Sequence, residues 1–179
     1  ENYQIIQSLD ELTKWKLKAE NIGYVAFDTE TNSLDAVQAD MVGFSLCTSE
    51  NDACYVPLLH EENDKQIDFD QAIGILKSIL EDNGIKKILH NMKFDALVVN
   101  KYDMNIKNYD DTMLMSYSIG SGGIRHKLDT LIKHYFDHDA ISFKDIIGSG
   151  KDKKTFQELT IKEAGKYAAE DADMTLRLW

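Results

Sequence analysis

One stretch constrains the chain more than any other: Tyr24-Val25-Ala26-Phe27-Asp28-Thr29-Glu30-Thr31. Its first half reads as a buried strand, and its second half exposes two carboxylates. Side chains alternate faces along an extended chain, so residues i and i+2 point the same way. Asp28 and Glu30 therefore project together, and Thr29 points away. Two carboxylates on one face repel each other, and burying them is costly unless a cation lies between. Hard oxygen ligands of this kind suit magnesium or manganese. A strand end meeting water beside a polar turn produces the same pattern, so the rest of the chain must decide.

The 179 residues suit one domain with a sizeable core. Hydrophobic residues make up 43% and charged residues 28%, and no apolar run approaches the roughly 20 residues that span a bilayer. The expectation is a cytoplasmic, monomeric protein without a membrane partner. The chain opens on Glu1 and stops at Leu178-Trp179 within a helical pattern. It therefore reads as a single domain, 1–179, cut from a longer chain. Cys47 and Cys54 match no metal or redox spacing and read as reduced core thiols. The formal net charge of −11 opposes strong nucleic-acid binding, because phosphate contacts need Lys and Arg. Metal ions or a neighbouring domain would have to help.

Gln4-Ile5-Ile6 looks like a short strand, and Ser8 with Glu11 makes a capping box for a helix that Gly23 ends. After the acidic strand, Met41 to Cys47 and Ala53 to Pro57 read as two more strands joined by a polar turn, an antiparallel meander. Phe69, Ala72, Ile73, Leu76, Ile79 and Leu80 mark an amphipathic helix, and Lys86 to His90 a fourth strand. That strand-helix-strand order implies a parallel addition to the sheet. Asn91 is read as the cap of the next helix, and Asp110-Asp111-Thr112 as the start of another. Lys127 to His138 reads as a helix with Leu128, Leu131, Ile132 and Tyr135 facing inward. Ile141-Ser142-Phe143 has no helical company, and Ile146 to Lys154 reads as a mobile, locally basic loop. Thr160 with Glu163 forms a second capping box for a final helix. Its Ala164, Ala168 and Ala172 allow close packing.

Three other signals fail. Gly150-Lys151 lacks the glycine and the Ser or Thr of a P-loop, since Asp145 and Asp152 stand there. His134 and His138 lack the glutamate of a zinc-binding helix. Ser121 in its Gly-rich loop lacks a nucleophile-elbow context.

Tyr167 and Asp171 stand four apart on one helical face. Alone they read as a packing ring and a solvated acid beside Glu170 and Asp173. Asp95 alone reads as an acid favoured by a helix N-terminus. In combination the reading changes. Asp-x-Glu at a strand end, Asn-x-x-x-Asp opening a helix and Tyr-x-x-x-Asp near the C-terminus resemble, in order, the three motifs of the DEDD exonucleases with tyrosine in the third. Phe27 to Thr31 with Ser33-Leu34, His90 to Asp95, Asp111 to Leu114, Ile141 to Ile146 and Glu163 to Asp173 extend the likeness. Over nearly the whole chain it resembles the 3′–5′ proofreading exonuclease domain of bacterial family A DNA polymerases, the polymerase I family.

That resemblance implies an α/β, ribonuclease H-like fold. Its mixed five-stranded sheet has three antiparallel strands and two parallel additions, flanked by helices, with a fifth strand near Asn108-Tyr109. It implies that Asp28, Glu30, Asp95 and Asp171 bind two divalent metal ions (Mg2+ or Mn2+), and that Tyr167 and Glu30 orient the attacking water. Leu34 and Phe143 would pack against terminal bases, and Asn91, Lys93 and Arg125 would touch the strand or its phosphates. His90 stands where relatives often carry glutamine and receives no role. The implied partners are the 3′ end of single-stranded DNA and a polymerase domain of the same chain. An RNase D-like exoribonuclease with the same motifs, or a non-catalytic scaffold supporting a polymerase module, are the alternatives.

Overall fold

A computed structural model describes residues 2–120, 123–150 and 153–179. The elements follow in chain order as β1 (Asn2–Ile5), α1 (Leu9–Ile22), β2 (Tyr24–Thr31), β3 (Met41–Ser49), β4 (Asp52–Pro57) and α2 (Phe69–Leu80). Then come β5 (Lys86–Leu89), α3 (Met92–Asn100), β6 (Tyr109–Asp111), α4 (Thr112–Ile119), α5 (Leu128–Phe136), α6 (Phe143–Ile147) and α7 (Ile161–Leu178). One sheet takes all the described strands in the order β1-β4-β3-β2-β5-β6. β2, β3 and β4 pair antiparallel, and β5 and β6 add in parallel beside β2, as expected. The strand count is a correction: β1 also joins, parallel to β4, making six rather than five.

β3 and β4 show no alternation of buried and exposed residues, because both faces are covered. On one face α1 and α2 enclose a core that includes Leu12, Trp15, Phe27, Phe44, Leu76 and Val98. Across the other face runs α7, whose Ala164 and Ala168 pack against Val42 and Tyr55. Ala169 and Ala172 meet Ala26, Cys47 and Ile88. The alanines bring the helix close enough for its side chains to reach the end of β2. Cys47 and Cys54 are buried free thiols. Among the described residues no helix is long and apolar enough to cross a membrane.

Several helix starts follow local rules, and one expected cap does not form. Ser8 accepts from the Glu11 amide, and Thr160 and Glu163 bond reciprocally. Asn91 does not cap α3: it sits in the left-handed region (φ 67, ψ 49) with no capping bond from its side chain. The cap comes instead from Asp111, 20 residues later, whose carboxylate accepts the Asn91 and Met92 amides at 3.1 and 2.9 Å. The same carboxylate accepts the Met113 amide at 2.9 Å, so one buried acid starts both α3 and α4.

Two further expectations do not hold, and others fall outside the described residues. Phe143–Ile147 is a helix rather than a structureless run, so Ile146 and Ile147 do not belong to a loop. It is too short to show periodicity and forms because Phe143, Ile146 and Ile147 share a face against Val42, Tyr55 and Phe156. Tyr135 on α5 faces outward, 49% exposed. Ser121 and Gly122, and Lys151 and Asp152 of the basic loop, lie outside the described residues.

Candidate active site

β2 positions Asp28 and Glu30 opposite Ser45 and Gly43 of β3. α7 lays Tyr167 and Asp171 over the same strand end. Asp28, Glu30 and Asp171 each offer a carboxylate oxygen, and these atoms lie within 4.8 Å of one another. Asp95 approaches from α3. Its Oδ1 accepts the Thr29 amide at 3.0 Å and the Thr29 hydroxyl at 2.6 Å. Thr29 points away from the acid pair, as alternation requires, and spends that orientation on holding the fourth acid. Alternation on the strand marked its direction, but nothing local marked its partner, 66 positions away.

The four acids share one cavity of about 350 Å³, with Leu34, Asn91, Phe143 and Tyr167 also in its lining. Leu34 stands 84% exposed at the rim rather than folding back on the core. Phe143 stacks on Phe156, centroids 6.3 Å apart and planes 8° off parallel, and leans on Tyr167 at 5.9 Å. Lys93 and Arg125 are exposed and line neither this cavity nor its larger neighbour. Lys127, which the sequence did not single out, lines both. The neighbour, about 910 Å³, shares Phe143, Tyr167 and Asp171 with the first.

Charge crowding dominates the electrostatics. Burial and the charge of Asp171 raise the Asp28 carboxyl to about 8. Burial raises Asp171 to about 7, against a hydrogen bond donated by the Tyr167 hydroxyl. Glu30 rises well above its usual range through burial and the charges of Asp28, Asp171 and Asp95. Asp95 rises for the same reasons, burial first and then Asp28, with the Thr29 bonds opposing. Burial and the nearby carboxylates push the Tyr167 phenol upward as well. Glu30 Oε1 is buried with no hydrogen-bond partner among the described residues. An orphaned carboxylate oxygen among mutually repelling acids is a donor set suited to hard divalent cations.

The floor beneath Glu30 is built for close approach. A Cβ on Gly43 would lie 2.2 Å from the Tyr55 hydroxyl. That hydroxyl meets His60 Nε2 at 2.7 Å, while His60 Nδ1 donates to the Leu159 carbonyl. At the other wall, His90 ties two elements together. Its Nδ1 meets the Thr112 hydroxyl at 2.8 Å, and Nε2 donates to the His126 carbonyl at 3.1 Å.

Residues 3–179 match the model of the 3′-5′ exonuclease family. The chain belongs to that family. The exonuclease is 42% identical to DNA polymerase I of Rhizobium leguminosarum over 99% of its own length and 19% of the relative's. It is 40% identical to DNA polymerase I of Pseudomonas aeruginosa, again over 99% of its length and 20% of the relative's. It thus spans about a fifth of the curated relatives it matches. Its fold also superposes on Escherichia coli RNase D, an exoribonuclease involved in structured RNA processing. The TM-score is 0.74 at 20% identity, over 99% of the exonuclease and 43% of that chain.

Proposed function

We propose that residues 1–179 form one metal-dependent exonuclease domain within a longer DNA polymerase I chain. It removes nucleotides from single-stranded or frayed 3′ ends of DNA as nucleoside 5′-monophosphates and edits for the polymerase domain. The observation that carries this reading is the trio Asp28, Glu30 and Asp171, with Tyr167 bonded to Asp171 and Glu30 Oε1 without a partner among the described residues. The strong similarity to polymerase chains supports DNA as the substrate.

Asp28, Glu30, Asp95 and Asp171 would hold two divalent ions, which would supply a low-pKa attacking water and stabilise charge on the leaving 3′ oxygen. The chain's own groups do the orienting. Tyr167 stays protonated, because its phenol is raised, and spends its proton on Asp171. Its oxygen lone pair is then free to accept from the attacking water. Glu30 Oε1, which has no partner among the described residues, accepts a hydrogen bond from the second water proton. Thr29 keeps Asp95 in place as the charge of the site changes. Leu34 and Phe143 flank the terminal base through apolar and stacking contact, which tolerates any base. A mispaired end costs less to unpair, so melting supplies the selectivity.

The test is a gel assay on single-stranded DNA labelled at its 5′ end, with a matched RNA beside it. Wild type and Asp28→Ala are each run with manganese and with chelator. A shortening ladder on DNA is expected for wild type with metal alone. Degradation that persists in excess chelator refutes the two-metal mechanism. Faster shortening of the RNA refutes the assignment to DNA and favours an RNase D-like role.

A further inference from the structure

Residues 138–142 join α5 to α6 and deliver Phe143 to the cavity. Asp137 ends α5 in the left-handed region at φ 51, and Gly148 leaves α6 at φ 74. The segment is bounded by two bends, and a five-residue helix has too few internal bonds to hold a position by itself. Something outside must set where it lies.

The hydrogen bonds from this segment to α7 both end on Glu170. His138 Nε2 lies 2.9 Å from Glu170 Oε1, and the Ile141 amide donates to Oε2 at 2.6 Å. Glu170 is 6% exposed, although it neighbours Asp171 in sequence. Successive residues on a helix point about 100° apart, so the two acids face different surroundings. A buried carboxylate is costly unless its oxygens are satisfied, and bonds to an ionised acceptor are the stronger kind. Here both oxygens are used on one short segment. The ring at its end, Phe143, is pinned between Phe156 and Tyr167. A shift of residues 138–142 therefore moves Phe143 relative to Tyr167 and the acid trio.

We infer that Glu170 is a positioning residue: by clamping His138 and the Ile141 amide it sets the place of Phe143, and so the seat of the strand's terminal base beside the carboxylates. This inference rests on the exonuclease reading above. It assigns Glu170 no contact with substrate or metal.

The experiment compares Glu170→Ala, Glu170→Gln and His138→Ala with wild type. Glutamine keeps an oxygen for the Ile141 amide, whereas alanine loses both bonds. For Glu170→Ala, KM on a single-stranded oligonucleotide is expected to rise and kcat to fall, together about 10- to 100-fold, as for a misplaced binding group. Glu170→Gln is expected to recover to within about threefold of wild type, since it keeps most of the bonding. His138→Ala should fall between them. Two readouts do not depend on hydrolysis. The first is exchange of the Ile141 amide, which should speed up in Glu170→Ala and not in Glu170→Gln. The second is the fluorescence of a 3′-terminal 2-aminopurine bound in chelator, which should report lost stacking in the alanine variant.

A merely structural Glu170 would lower thermal stability and leave the fluorescence of the bound base unchanged. Wild-type kinetics and fluorescence in folded Glu170→Ala overturn the inference. Should that variant fail to fold, unchanged KM and Ile141 exchange in His138→Ala overturn it. A wild type that degrades no DNA sinks the exonuclease reading itself. An active wild type with a normal Glu170→Ala sinks the clamp alone.

Discussion

Replacing Asp28 by asparagine should stabilise the metal-free protein in alkaline solution, although it removes a residue from the centre of the site. The Asp28 carboxyl moves from 3.8 to about 8 in the fold, burial first and then the charge of Asp171. Each tenfold change in proton affinity is worth 1.36 kcal/mol. At face value, ionising Asp28 in the fold costs on the order of 5 kcal/mol. Part of its surface faces the open cavity, where water screens the charge, so about 2–3 kcal/mol is the expected effect. The sign follows from proton counting. Between about pH 4 and about pH 8 the folded protein keeps a proton that the unfolded chain has released. Stability in chelator is therefore full below that window and is lost as pH rises through it. Asparagine has the same shape and never ionises. Urea or thermal unfolding at about pH 5 and about pH 8.5, each with chelator and with magnesium, reads this directly. In chelator at the higher pH, Asp28→Asn should exceed wild type by roughly 5–10 °C in Tm, at about 2–4 °C per kcal/mol for a chain of this size. Magnesium should restore wild type there and help the variant far less. A variant less stable than wild type in chelator at the higher pH would refute the charge-crowding account.

Three other outcomes are expected. Tyr167→Phe should slow hydrolysis by about 100-fold or more while keeping metal-dependent thermal stabilisation, because in the proposed mechanism the hydroxyl orients water rather than binding the ions; single-turnover kinetics beside a melting curve separates the two. Asp111→Ala should destabilise by about 2–4 kcal/mol, since one buried carboxylate starts both α3 and α4, with urea unfolding as the check and a loss under 1 kcal/mol, within the range of surface substitutions, as the contrary result. Gly43→Ala should cost about 1–3 kcal/mol as its Cβ displaces the Tyr55 hydroxyl, and hydrogen exchange should show loosening around Tyr55 and His60.

Much of the fold could be read from short-range chemistry. The acid pair on β2, the capping boxes at Ser8 and Thr160, and the alanine spacing of α7 are each written within a few residues. Such patterns survive folding because they depend on backbone geometry alone. The motif order brought Asp28, Glu30, Asp95, Asp171, Tyr167, Leu34, Asn91 and Phe143 together on paper, and the structure places all eight around one cavity. Where local rules misled, a longer-range partner had won. Asn91 looks like a cap, yet Asp111 takes the work from the next strand. Phe143–Ile147 looks structureless, yet an apolar patch that includes Val42, Tyr55 and Phe156 folds it.

The residues that the sequence alone determined are those whose chemistry is local: an alternating strand ending in two acids, and helices with marked starts and apolar faces. What only the tertiary structure decided is which polar groups spend themselves on each other. Glu170, Asp171 and Asp173 are three acids within four positions of one helix. Closure of the chain sends Glu170 to His138 and Ile141, Asp171 to the site, and Asp173 to Tyr3, Asn51 and Arg177. Lys93 and Arg125 fell outside the cavity lining, and Lys127 fell inside, by the same closure. A side chain's charge is set by its own residue, but its desolvation and its partners are set by elements as far as 170 positions away. Those terms exist only once the sheet and α7 have met.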